Sequence, residues 1–131
     1  MDREQEKIEK PLTPLTLLTP KELAIIIKQT SIVVIKMSAS WCSPCQNKIF
    51  LESYHKLKLY YSQNKKVKFI ELDVDDDLDI IENNKYYDID VKAIPTFLIS
   101  KNGSFIRKFE GCGYLNEIDE FIYNNVTNIH S

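Results

Sequence analysis

Three cysteines are the most reactive side chains of this sequence, and two of them stand close together. Cys42 and Cys45 are separated only by Ser43 and Pro44, whereas Cys112 lies far downstream. A strand running through a short loop into a helix would place Cys42 at the helix N-terminus, where unpaired N–H groups and the helix dipole favour a thiolate. Cys45 would lie on the same helix face, close enough to form a disulfide. The spacing predicts a dithiol that opens and closes in place.

Other uses of these cysteines are less favoured. An odd count excludes a framework of paired structural disulfides and suits a reducing compartment. A buried inert pair is not expected at a polar, proline-containing helix start. A zinc site needs four ligands, and beyond the pair only Cys112, His55 and His130 remain, at spacings that do not suit zinc. We therefore expect neither a metal nor a bound cofactor.

The elements around the pair can be predicted from local patterns. Thr19 and Glu22 have the order of a capping box with proline between them, which predicts a helix reaching to about residue 29. The β-branched run within residues 31–37 predicts a central strand that is buried on both faces. After the cysteines, an apolar stripe predicts one helix over residues 43–63; its members are Phe50, Tyr54, Leu57 and Tyr61.

The second half of the chain predicts a strand at residues 67–74, a short helix at 78–84 and a strand at 97–100. An Asn102-Gly103 turn should return this strand as a hairpin into residues 104–110. Apolar residues at helical spacing then predict a last helix; they are Ile118, Phe121, Ile122 and Val126. With a possible short edge strand at residues 15–18, the pattern indicates an α/β fold with a mixed sheet.

Composition limits the classes of function. The chain has 131 residues, 44% hydrophobic, and a net charge of -2, which predicts one domain over residues 13–131 after a flexible polar extension at residues 1–12. The near-neutral charge argues against nucleic acid as a partner. The apolar runs are too short to span a membrane, and the charged first residues do not form a secretory signal peptide. We expect a cytoplasmic protein.

The motifs Trp41-Cys42-Ser43-Pro44-Cys45, Tyr87-Asp88-Ile89, Ile94-Pro95-Thr96 and Lys101-Asn102-Gly103, followed by Gly111, resemble the thioredoxin family. The resemblance covers about residues 15–127. It implies a thioredoxin fold, in which helices flank a central mixed sheet on both faces. It also implies a protein-disulfide reductase that acts on disulfide-containing protein substrates. Electrons would come from a separate reductase or a small thiol, and we expect a monomer.

The resemblance also assigns roles to single residues. Cys42 would be the exposed attacking sulfur, Cys45 the buried resolving sulfur, and Trp41 would cover the site. Pro95 would follow a cis peptide bond, and the backbone of Ile94 would pair with an extended substrate. Gly111 would leave room for that substrate strand.

Three positions depart from the family pattern. Ser43 replaces the usual glycine and would alter the redox potential. Lys36 stands where the family usually has a buried aspartate, and Glu71 stands where it often has the partner lysine. We expect a buried Lys36 held by Glu71, with one of the two helping to deprotonate Cys45. The alternative is that both are solvated charges at a sheet edge.

The sequence leaves the role of Cys112 and the type of redox function open. Cys112 is a possible regulatory thiol that could form a disulfide, join two copies or trap a substrate, and it could equally be a small apolar filler. The protein could also be a disulfide isomerase or oxidant of shifted potential, or a redox-sensing interaction module with the thioredoxin fold.

Overall fold

A computed structural model describes residues 18–82 and 93–127, and these form a mixed sheet with helices packed against it. The strands are β1 (Ile32–Ser38), β2 (Val67–Asp73), β3 (Thr96–Lys101) and β4 (Ser104–Glu110). The helices are α1 (Pro20–Gln29), α2 (Lys48–Tyr60), α3 (Leu78–Glu82) and α4 (Leu115–Thr127). The strand order is β2-β1-β3-β4, with β1 parallel to β2 and antiparallel to β3.

Strand β1 lies at the centre of the molecule, as its β-branched run predicts. Ile32 and Val34 pack on one side with α2 and α4, whereas Val33 and Ile35 pack on the other side with α1 and α3. Successive residues of a strand point to opposite faces, and helices cover both faces of the sheet here. All four side chains are therefore fully buried. The expected arrangement, a mixed sheet with helices on both faces, is confirmed.

Helix α1 begins with the predicted capping box. The Thr19 hydroxyl accepts a hydrogen bond from the Glu22 backbone N–H at 3.1 Å, and the Glu22 carboxylate accepts one from the Thr19 N–H at 2.9 Å. Both N–H groups lie at the start of the helix, where backbone donors have no acceptor within the helix itself. Leu23 and Ile27 then bury the inner face of α1 against the sheet.

The β3–β4 hairpin forms at the predicted turn. Asn102 and Gly103 both have positive φ, 51° and 92°, as a two-residue turn of this kind requires. Strand β4 therefore runs back along β3, and the chain leaving it brings Gly111 against Pro95. The Gly111 N–H donates to the Pro95 carbonyl at 2.8 Å, which joins the end of the hairpin to the loop before β3.

The prediction of one helix over residues 43–63 is wrong. A single 3₁₀ turn covers Pro44–Gln46, and α2 begins only at Lys48 and ends at Tyr60. Asn47 separates the two because its backbone is extended and its side chain accepts a hydrogen bond from the Phe50 N–H at 3.0 Å. Asparagine is a favoured N-cap, so α2 starts from its own cap.

Some predicted features lie outside the described residues, namely the extension at residues 1–12, most of the edge strand at 15–18, the end of the helix at 78–84, and Tyr87-Asp88-Ile89. Leu18, which is described, is not in a strand. Across residues 18–82 and 93–127, none of the helices is long and apolar enough to cross a membrane.

Candidate active site

The active-site cysteines are joined in this structure. Cys42 and Cys45 form a disulfide, with their Cα atoms 5.2 Å apart, in the loop and 3₁₀ turn that follow β1. The pair packs against Ala39, Val74 and Ile94. Cys42 is 5% exposed and Cys45 1% exposed. The expectation of an exposed Cys42 is thus wrong for the closed disulfide, because these neighbours cover most of it, although Cys42 is the more accessible of the two.

A backbone donor is aimed at the Cys42 sulfur. The N–H of Cys45 donates to Cys42 Sγ at 3.2 Å, and the carbonyl oxygen of Ile94 lies 3.7 Å from the same sulfur. An N–H pointing at the sulfur would stabilise a thiolate once the disulfide opens. Because α2 begins beyond Cys45, Cys42 does not lie at the N-terminus of this helix as predicted, and the Cys45 N–H is the backbone donor that the structure places at its sulfur.

Trp41 lies beside the disulfide and is fixed by an acidic loop. Its indole is 66% exposed, and the indole Nε1–H donates to the Asp75 carboxylate at 2.8 Å. The Asp75 N–H in turn donates to the Asp73 carboxylate at 2.8 Å. Sequence reasoning did not identify the role of Asp75. No local pattern links it to Trp41, since 34 residues separate them.

The loop before β3 forms the other wall. The Ile94–Pro95 peptide bond is cis, as the resemblance implied. The Thr96 hydroxyl donates to the carbonyl of Ala93, and the Pro95 carbonyl accepts from the Gly111 N–H. The structure therefore brings together Cys42, the Ile94–Pro95 loop and Gly111.

Gly111 has a backbone conformation that favours glycine. Its φ is +114°, and a Cβ built there would meet only the Tyr114 ring, at 3.9 Å. The expectation that Gly111 leaves room for a substrate strand stays a prediction. We expect Gly111→Ala to lower the free energy of unfolding by about 1 to 3 kcal/mol, the usual cost of a side chain in a Gly-only region. Urea denaturation measures this value.

Gly113→Ala is the matched control for this substitution. Gly113 does not have a positive φ, and a Cβ there would meet nothing within 4 Å. We expect its free energy of unfolding to stay within about 0.5 kcal/mol of wild type. Equal losses in the two variants would contradict the conformational argument.

Lys36 is buried beneath the helix that follows the cysteines. It is 4% exposed, and its Nζ lies 4.9 Å from the centre of the Tyr54 ring and 5.6 Å from that of Phe50. The Glu71 carboxylate lies 3.8 Å from Nζ. Burial lowers the pKa of Lys36, and the negative charge of Glu71 partly offsets this. The ring faces also stabilise the cation.

Glu71 is only partly enclosed. Its side chain is 44% exposed, and it also forms an ion pair with Lys58. Burial tends to raise the pKa of Glu71, but the hydrogen bond from Lys58 and the charge of Lys36 outweigh it, so the pKa is lowered. The expected pair therefore exists, but one member is open to solvent. This exposure removes the basis for a proton relay through Glu71.

Tyr54 is a further polar group that sequence reasoning assigned only to the core. It is 1% exposed, and its hydroxyl has no hydrogen-bond partner among the described residues. Burial raises its pKa well above the usual value, so it stays neutral. Its place in the apolar stripe of the helix predicts a core side chain and does not indicate that its ring lies under the Lys36 ammonium group.

Cys112 is half-buried next to the active-site turn. Its sulfur lies 3.4 Å from the Pro44 carbonyl oxygen, to which the thiol donates. Burial raises the pKa of Cys112, and the charge of Lys36 opposes this in part. These contacts favour a packed, protonated thiol over a reactive one. His55 is exposed, and no three possible metal ligands come together within residues 18–82 and 93–127.

A CxxC disulfide at the end of a central strand, faced by a cis-proline loop, defines a thiol–disulfide oxidoreductase. The Thioredoxin family profile matches residues 15–124. The thioredoxin of Gallus gallus is 39% identical over 80 residues, which cover 61% of this chain and 67% of that protein. The thioredoxin of Homo sapiens is 38% identical over 80 residues with the same coverage.

Solved structures give the same result. The oxidized form of mitochondrial thioredoxin 3 from Saccharomyces cerevisiae is 31% identical, with a TM-score of 0.66 over 82% of this chain and 92% of that one. The oxidised thioredoxin of Plasmodium falciparum is 29% identical, with a TM-score of 0.61 over 78% and 90% of the two chains. The chain belongs to the thioredoxin family. It is a protein-disulfide reductase that acts through a CxxC dithiol.

Proposed function

We propose that Cys42 attacks the substrate and that Cys45 resolves the intermediate. The Cys42 thiolate attacks one sulfur of a substrate disulfide, and a substrate thiolate leaves. The Cys45 thiolate then attacks Cys42 Sγ, which releases the second substrate thiolate and leaves the enzyme as the disulfide. The observation that carries this assignment is the Cys45 N–H aimed at Cys42 Sγ, together with the greater exposure of Cys42.

The substrate segment would lie across the loop before β3. An extended chain can pair with exposed backbone groups, and the Ile94 carbonyl next to Cys42 Sγ would align such a chain with the attacking sulfur. Trp41 would contact the substrate with its exposed indole, while Pro95 and Gly111 hold the loop in place. These residues form the proposed substrate-binding surface.

Lys36 would act as a positioning residue for the resolving thiol, with Glu71 as its counter-ion. The charge of Lys36 acts on Cys112, and the Cys112 sulfur contacts the carbonyl of Pro44, the residue before Cys45. A positive charge at this place favours thiolates in the reduced protein. Stabilising the reduced form raises the reduction potential, and this favours an isomerase or oxidant as the second candidate function.

The cysteines of the chain bear on its cellular setting. We infer a monomer that works in the cytoplasm, with electrons supplied by a separate reductase or a small thiol. The three cysteines and the dithiol support a reducing compartment, since free thiols persist there. Fractionation of cells that produce the tagged full chain tests this location, and a chain found in an oxidising compartment would contradict it.

Reduction of a generic protein disulfide tests the proposed function. With dithiothreitol as the electron source, we expect the protein to accelerate the reduction of insulin, followed by the turbidity of the released chains. Catalysis should be lost in Cys42→Ser, because serine is a far weaker nucleophile. Absence of acceleration with both dithiothreitol and glutathione would favour the redox-sensing module instead.

A further inference from the structure

A surface cavity lies far from the dithiol, between the end of α2 and the first half of α4. Its volume is about 420 Å³, and it is lined by Tyr60, Asn116, Asp119, Glu120 and Tyr123. Cys45 precedes the start of α2, whereas Tyr60 is its last residue. A 13-residue helix is about 20 Å long, so this cavity is separate from the active site.

Two aromatic side chains of the cavity face solvent. Tyr60 is 70% exposed and Tyr123 is 51% exposed. The Tyr60 ring packs edge-on against Tyr61, with centroids 4.8 Å apart, so its position is fixed. Exposed, fixed tyrosines are typical of surfaces that bind partners, because they offer large contact area at a small entropy cost.

The charge of the cavity is negative. The Asp119 carboxylate accepts a hydrogen bond from the Tyr61 hydroxyl at 2.7 Å, which fixes its orientation. Glu120 has no cationic partner within residues 18–82 and 93–127. The cavity is also next to the C-terminus of α2, the negative end of the helix dipole. None of the lining residues is basic.

We propose that this cavity binds an arginine side chain of a partner protein. Tyrosine ring faces attract cations, and a planar guanidinium pairs with carboxylates through two parallel hydrogen bonds, which a lysine ammonium cannot do. The cavity is open to solvent, so a side chain of a partner can enter it from the surface. Such a site would hold a partner while leaving the Cys42 face free.

A titration followed by ¹H–¹⁵N NMR tests the proposal on the full chain. The probe is a blocked hexapeptide with one central arginine, and the control is the same peptide with neutral citrulline. We expect saturable shifts at the amides of Tyr60, Asp119 and Tyr123 with the arginine peptide and none with citrulline. Equal shifts with both peptides, or shifts confined to the surroundings of Trp41, would overturn the proposal.

Substitutions then locate the site. Glu120→Gln and Tyr123→Leu should each weaken binding about threefold, and the double variant about tenfold, as expected for one exposed ion pair and one cation–π contact. Glu52→Gln removes an exposed carboxylate elsewhere on α2 and should leave the affinity unchanged. Unchanged affinity in the double variant would overturn the proposal. Insulin reduction should stay unchanged in all variants, so the result is independent of the dithiol mechanism.

Discussion

Replacing Cys45 by serine will convert the protein from a catalyst into a trap for its substrates. Cys42 can still attack a disulfide, but the mixed disulfide persists because the second sulfur is missing. We expect turnover to fall by about three orders of magnitude or more, the scale seen when a member of a catalytic unit is removed. The adducts should appear on non-reducing gels and be identified by mass spectrometry after release with dithiothreitol.

The trapping experiment is best done with Cys112→Ser already present. Cys112 is the free third thiol, so its removal leaves Cys42 as the sole sulfur that can hold a substrate. In this background Cys42→Ser, with Cys45 intact, should give few adducts because Cys45 is the less accessible sulfur. Equal trapping by the two variants would contradict the assignment of attacking and resolving roles. Several trapped proteins indicate a general reductase, and a single one indicates a dedicated partner.

The buried lysine gives the second large effect, and the two members of its ion pair should respond with opposite signs. Lys36→Met removes a desolvated charge and replaces it with an apolar side chain of similar length, so we expect the free energy of unfolding to rise by about 1 to 3 kcal/mol. Glu71 keeps Lys58 as its partner in this variant. Glu71→Gln leaves the Lys36 cation buried with a neutral partner and should lower stability by about 1 kcal/mol.

The direction of the pKa shift of Lys36 also predicts that stability depends on pH. Because burial lowers the pKa of Lys36 below 10.5, the unfolded chain holds the proton more tightly than the native protein does. Stability should therefore rise with pH between the lowered pKa of native Lys36 and 10.5, and this rise should be absent in Lys36→Met. Urea denaturation of wild type and Lys36→Met across this pH range gives the contribution of Lys36 as the difference between the two curves. Tyr54 and Tyr61 are present in both proteins, and their raised pKa values lower the stability of both at high pH.

Lys58→Met is the control for both measurements. Lys58 also pairs with Glu71 but is one-third exposed, so its loss should change stability by less than about 1 kcal/mol. A loss of stability in Lys36→Met would contradict the account, since it would mean that the charge of Lys36 is well compensated in the native protein.

Lys36→Met should also lower the reduction potential of the dithiol, because a positive charge that favours the thiolates is removed. We expect a decrease of about 30 mV against a glutathione buffer, equivalent to about 1.4 kcal/mol.

Much of the fold could be predicted because its signals are local. The capping box at Thr19 and Glu22, the β-branched run of β1 and the Asn102-Gly103 turn each fix a structure within a few residues. The spacing of Cys42 and Cys45 likewise predicts a disulfide without any knowledge of the rest of the chain. These features do not depend on what packs against them.

The missing features depend on contacts between distant segments or on competition between two local signals. The Asp75 carboxylate reaches Trp41 only after the chain folds, and the exposure of Glu71 follows from the edge position of β2 in the described sheet. Asn47 offers an N-cap inside the predicted helix over residues 43–63, just before the apolar stripe, and the cap prevails because its side chain accepts from the Phe50 N–H. Weighting caps above the stripe would have found this break.

The central claim is that Cys42 becomes a thiolate near neutral pH, and its rate of alkylation tests this most directly. In reduced Cys112→Ser protein, iodoacetamide labelling of Cys42 is followed by mass spectrometry across the pH range. We predict that the rate reaches half of its maximum at least about one pH unit below the value of about 8.5 that is typical of free cysteine. A half-maximum at about 8.5 would contradict the account.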